Sequence, residues 1–225
     1  MKKIGFIGAF DKIDLVIYTG KILAELRKRV LIIDATILQK TRYIVPCLEP
    51  TKFYVTEFEG MDIAVGFENL EELNEYLGSI ESEYDVVLVD IDSYDKFNKF
   101  ELENSEKFYF VTAFDGFSLK KGIEMLQNID QIESVTKVLF ERDFSEENDR
   151  YLNFLALKCA AKWDKEKIYF PFEQGDLTEI MENQKVSKIR FKNLTEIYRE
   201  GLFNIVQGIA PEAKKSEVKR ILKNL

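Results

Sequence analysis

Histidine is absent from the 225 residues, which excludes histidine triads, imidazole metal sites and imidazole general bases. Any chemistry must rest on carboxylates, lysines or hydroxyls. Cysteine is scarce: Cys47 and Cys159 stand far apart in unlike surroundings, which indicates neither a disulfide framework nor a zinc knuckle. Long apolar runs are missing too, since Val30–Ile33 and Val86–Val89 fall far below the roughly 18 residues of a membrane-spanning helix. Met1-Lys2-Lys3 leads into a short strand and Asp11 without the apolar core or cleavage site of a signal peptide, so the expected location is the cytoplasm. Only four prolines occur, and no repeat, low-complexity tract or interdomain linker is visible.

What is present is a hydrophobic share of 46% and a charged share of 32%, in a chain long enough for one large α/β domain. Net charge is −8, yet residues 211–225 carry five cations against Glu212 and Glu217, so the remaining body holds −11. An acidic body repels phosphate backbones, which disfavours DNA as a partner. Pro211 marks the one boundary, dividing a domain over residues 1–210 from a basic tail over 211–225.

Strand and helix signals alternate, the pattern of a parallel sheet covered on both faces. Strands are expected at Lys3–Gly8, Val30–Ile33, Met61–Phe67, Tyr84–Asp90, Phe108–Ala113, Val135–Phe140 and Lys167–Phe170. Helical spacing follows the first strand through Ile13, Val16, Ile17 and Leu26, and Asn69 is placed to cap a helix carrying Leu70, Leu73 and Leu77. Further helices are expected at Ser118–Ile129, Asp149–Ala161, Leu177–Asn183 and Phe191–Gln207. Residues 36–60, with Pro46, Pro50 and scattered aromatics, yield no clear element.

Four segments in this order resemble the MinD/ParA family of deviant-Walker ATPases across nearly the whole chain. Leu23-Ala24-Glu25-Leu26 through Val30-Leu31-Ile32-Ile33-Asp34-Ala35 looks like the end of the family's first helix and its second strand. Tyr84-Asp85-Val86-Val87-Leu88-Val89-Asp90 looks like its Walker B strand. Phe110–Ala113 with Ser118–Gly122, and then Phe170-Pro171-Phe172 with the closing helices, are similar to the elements that follow. The resemblance implies a three-layer αβα sandwich of the P-loop NTPase kind with a mainly parallel sheet. It also implies a homodimer, ATP with Mg2+ as ligand, and a nucleotide site equivalent to Gly8, Asp11, Lys12, Asp34, Asp90 and Pro171. Within the family, the divergent TadZ/CpaE-like proteins that place pilus or secretion machinery are nearest in flavour.

An intact member carries KGGxGK[ST] after the first strand, because glycines let amides curl round phosphates while lysine neutralises them. Here that place reads Gly8-Ala9-Phe10-Asp11-Lys12-Ile13-Asp14. The signature lysine position is Ile7, the magnesium-binding hydroxyl position is Ile13, and Asp11 replaces a glycine. A negative charge about 4 Å from a phosphate oxygen costs roughly 4 kcal/mol at an effective dielectric of 20. Micromolar binding is worth only about 8 kcal/mol. Strand two ends Asp34-Ala35-Thr36, without the second aspartate of the family's water-positioning pair. The expectation is therefore a noncatalytic positioning or assembly factor, with no catalytic residue and no metal site, and at most weak ATP and Mg2+ binding; the alternative within the family is a weak ATP-binding ATPase.

Each residue also has a plainer reading: Lys12 as a solvated first-turn residue, Asp11 as a helix N-cap, Asp34 and Asp90 as loop anchors. Other classes of function stay open. Asp90-Ile91-Asp92 resembles the DxD motif of haloacid dehalogenases, which implies a metal-dependent phosphohydrolase using Asp90 and Asp92. In the tail Val218, Ile221, Leu222 and Leu225 share one helical face, which would suit either peripheral membrane contact or a surface or partner-binding helix. Tyr43, Phe53, Tyr54 and Phe58 form either a docking patch or loop packing, and Phe97, Phe100, Phe108 and Tyr109 either a dimer face or core.

Overall fold

The computed structural model describes residues 1–48, 51–129 and 132–225; Pro50 lies outside them. In chain order the strands are β1 (Lys2–Ile7), β2 (Val30–Asp34), β3 (Tyr54–Phe58), β4 (Met61–Val65), β5 (Val86–Ile91), β6 (Lys107–Ala113), β7 (Val135–Glu141) and β8 (Trp163–Pro171). The helices are α1 (Ile13–Glu25), α2 (Thr41–Ile44), α3 (Leu70–Leu77), α4 (Ile80–Glu83), α5 (Tyr94–Lys99), α6 (Gly116–Gln127), α7 (Glu146–Leu155), α8 (Gln174–Val186), α9 (Glu196–Ile209) and α10 (Lys215–Asn224). One eight-stranded sheet runs β3-β4-β2-β5-β1-β6-β7-β8. Every pairing is parallel except that of β3 with β4.

Successive side chains of a strand face opposite sides of its sheet, and here both sides are apolar. Val86 and Leu88 of β5 enter one core, shared with α1, α9 and α10. Val87 and Val89 enter the other, shared with α3, α6 and α7. That double burial is why β2 and β5 read as unbroken β-branched runs. The aromatics Phe97, Phe100, Phe108 and Tyr109 are all buried, so the dimer-face reading of that group gives way to core packing.

Four sequence expectations shift. Residues 36–60 contain β3, joined to β4 by Glu59-Gly60, both at positive φ, the two-residue turn that suits the twist of a hairpin. α7 begins three residues early, because the Ser145 hydroxyl accepts the Glu147 amide at 3.2 Å. Its helical turns stop at Leu155 and a 3-10 turn carries Ala156–Lys158. α9 starts at Glu196, not Phe191: Thr195 caps it by accepting from the Tyr198 amide at 3.2 Å. Asp176 holds Thr195 through its amide at 2.6 Å and its hydroxyl at 2.8 Å.

The basic tail is α10, and its apolar stripe is already spent. Val218, Ile221 and Leu222 are 0%, 8% and 5% exposed, packed in the core with α1 and α9. The face that the sequence offers to lipid is thus covered by the protein itself. Of the aromatics at 43–58, Tyr54 is buried, Phe53 and Phe58 pack against the cores, and Tyr43 alone is fully exposed; packing replaces the docking patch for all but Tyr43.

Candidate functional site

The strand order reverses direction at β1, which lies between β5 and β6. In open α/β sheets ligands bind at such a point, outside the carboxyl ends of the strands. Three carboxylates collect there because register brings them together. Asp34 closes β2 directly opposite Asp90 of β5, and Asp92 follows in the turn after β5. The loop from Gly8 to Lys12 crosses above them from β1 to α1.

Gly8 is at φ 143°, and a Cβ there would sit 2.2 Å from the Val111 carbonyl oxygen of β6. Glycine is therefore required by close packing against the sheet, a structural demand that exists with or without a phosphate. Lys12, just before the first turn of α1, does not reach solvent. Its ammonium donates to the Gly8 carbonyl at 2.7 Å and lies 2.7 Å from Asp90 Oδ1, with both side chains 1% exposed. The solvated reading of Lys12 is overturned, because its ammonium is buried against the Asp90 carboxyl group.

Burial pushes Asp90 up to about 7, with Lys12 pulling its pKa down and the Asp34 and Asp92 charges pushing it up. Asp34 is an anchor for the following loop. One oxygen accepts the Thr36 amide at 3.1 Å and its hydroxyl at 2.6 Å; the other accepts the Thr41 amide at 3.1 Å and the Thr41 hydroxyl. Asp92 accepts the Ile37 amide at 3.1 Å, and burial raises its pKa. Asp11 is no helix cap: α1 begins without a side-chain cap, and the Asp11 carboxylate pairs at the surface with Lys40.

Gly8, Lys12, Asp34 and Asp90 are thus brought together, with Asp11 at the mouth. Pro171 is not: it ends β8, three strands from β1. Its neighbour Phe172 does approach the loop, 6.1 Å from Phe10 between ring centroids. Sequence reasoning missed Lys40 and Thr41, which lie in the stretch that gave no periodic signal, took Thr36 only as the replacement of an aspartate, and gave Phe10 no role. The recess above Lys12 and Asp90 holds about 140 Å³, less than half the roughly 300 Å³ at which ordinary ligand pockets begin.

The loop between Gly8 and Lys12 carries a Cβ at Ala9, Phe10 and Asp11, Ile13 offers no hydroxyl, and the loop's own lysine is turned inward onto Asp90. The phosphohydrolase reading fails on the same geometry, since an attacking aspartate must reach phosphorus and Asp90 is sealed beneath Lys12.

No family model matches the sequence, and no curated protein matches it either. Solved structures do. A ParA family ATPase from Chlorobium tepidum superposes with a TM-score of 0.56 at 14% identity, over 100% of this chain and 96% of that one. The MinC:MinD cell division protein complex of Aquifex aeolicus gives 0.55 at 16% identity, over 100% and 97%. A variant of McdA from Cyanothece in complex with ATP gives 0.62 at 13%, over 95% and 98%. The fold is that of the ParA/MinD P-loop NTPases, with an eight-stranded, mostly parallel sheet between helical layers.

Proposed function

We propose that this chain is a noncatalytic positioning or assembly factor on a ParA/MinD fold, its nucleotide site closed by its own side chains. The single observation that carries the reading is the buried pair of Lys12 with Asp90. In a working site the loop lysine meets phosphate; here it is turned inward onto Asp90 and the Gly8 carbonyl, and Asp11 stands at the entrance. Homodimer formation and service to a pilus or secretion machine, as in the TadZ/CpaE-like proteins, are parts of the proposal that rest on the sequence resemblance. The neighbouring structures include MinD with MinC, which supports a role exercised through a protein partner. The acidic body supports the exclusion of DNA.

Calorimetric titration with Mg-ATP is expected to give no heat of binding at micromolar to submillimolar nucleotide. Micromolar affinity, or magnesium-dependent turnover, would overturn the reading. Sedimentation velocity showing only a 26.3 kDa species would remove the homodimer from it.

A further inference from the structure

A cleft of about 460 Å³ opens beside the loop, at the carboxyl ends of β6, β7 and β8. Its floor is aromatic. Phe10 lies 4.8 Å from Phe140 and 6.1 Å from Phe172, and Phe140 lies 6.0 Å from Phe172, between ring centroids. Phe172 remains 41% exposed, which leaves its ring open to an incoming group.

The rim carries three carboxylates, Asp115, Glu141 and Asp143, against one guanidinium, Arg142. None of the four makes an ion pair among the described residues. Asp115 is committed to capping α6, accepting the Phe117 amide at 3.1 Å and the Ser118 amide at 2.9 Å. Glu141 is the informative one. It is 4% exposed, and its carboxylate accepts from Asn148 Nδ2 at 2.9 Å and from the Ser145 amide at 3.4 Å. Both donors are neutral, and no cation pairs with this carboxylate among the described residues, which leaves the position open to one.

Aromatic faces beside three carboxylates and one guanidinium, a formal charge of −2, disfavour phosphate and favour a planar cation. Guanidinium stacks on rings, bonds carboxylates with paired donors, and is less strongly hydrated than ammonium. We propose that this cleft receives an arginine side chain presented by a protein partner, its guanidinium over Phe172 and facing Glu141 and Asp143. The proposal rests on the reading above that nucleotide does not occupy the groove.

The test is amide NMR of the full chain titrated with the amidated tripeptide Gly-Arg-Gly, with the neutral citrulline tripeptide and with Mg-ATP. Expected are shifts confined to residues 140–143 and 172, saturating at millimolar arginine peptide and about tenfold weaker with citrulline, the loss of one charge contact. Phe172→Ala and Asp143→Asn, both at exposed positions, should each weaken the response several-fold while leaving the rest of the spectrum in place. Equal shifts with arginine and citrulline, or none in the cleft with either, overturn the arginine site. If Mg-ATP is inert in that same experiment, the noncatalytic reading survives that failure. Micromolar Mg-ATP shifts in the cleft overturn both.

Discussion

Lys12 has two contacts and both are internal, so its contribution belongs to stability. Removing one member of a buried ion pair strands the other and costs about 3–5 kcal/mol, whereas replacing both by apolar groups is close to neutral. Above about pH 7, where Asp90 is ionised, Lys12→Met should therefore lower unfolding stability by about that amount in urea titrations, and adding Asp90→Leu should restore most of it. A Lys12→Met protein as stable as the parent would show the pair to be idle. The pair also sets a pH dependence. An unfolded aspartate ionises near 3.8, while Asp90 in the fold keeps its proton to about 7, against Lys12 and in the company of Asp34 and Asp92. Between those limits the unfolded chain binds fewer protons, so rising pH erodes stability; the contribution is whole below the lower value and gone above the upper one. Urea midpoints between about pH 5 and pH 8 should fall more steeply in the parent than in Asp90→Asn. Parallel curves would sink that assignment. The bulk of the phosphate loop was plain in Ala9, Phe10 and Asp11, and the family resemblance put Lys12 and Asp90 in one site, but their burial against each other was not legible, because it joins a loop to a distant strand.

Among the elements, α10 is the one whose role changed most. The periodicity of Val218, Ile221 and Leu222 was visible, but an amphipathic stripe is the same whether lipid or α1 and α9 cover it. Because the stripe is buried, Leu222→Ala should cost about 2–5 kcal/mol, and the full chain should stay in the supernatant when spun with anionic liposomes. Pelleting with liposomes, together with an unchanged unfolding midpoint for Leu222→Ala, would show that α10 leaves the core. The strands β1, β2, β4, β5, β6 and β7 were legible because each is a short apolar run bounded by turn residues. β3 was not, since Tyr54–Phe58 has only half-buried faces and its turn, Glu59-Gly60, lacks the usual asparagine or aspartate before glycine. Asn69 was legible as the cap of α3, and its side chain accepts the Glu72 amide at 2.8 Å.

At the scale of the whole molecule, the charge of −8 sits on a chain with an isoelectric point near 4.9. Mutual repulsion vanishes there, so static light scattering should rise as the solution approaches about pH 4.9 and fall again on either side; scattering that climbs steadily through that value would point to acid unfolding instead. The ends of the fold are tied together. Lys2 donates to the Ile209 carbonyl at 2.8 Å, Lys28 bridges to Glu212 at 2.9 Å, and α10 lies against α1. That closure has a consequence during translation. At about 5–20 residues per second, the ribosome needs roughly 10–40 s after finishing α1 before the residues that cover it emerge. Throughout that interval the apolar flank of α1 that α9 and α10 later cover stays bare.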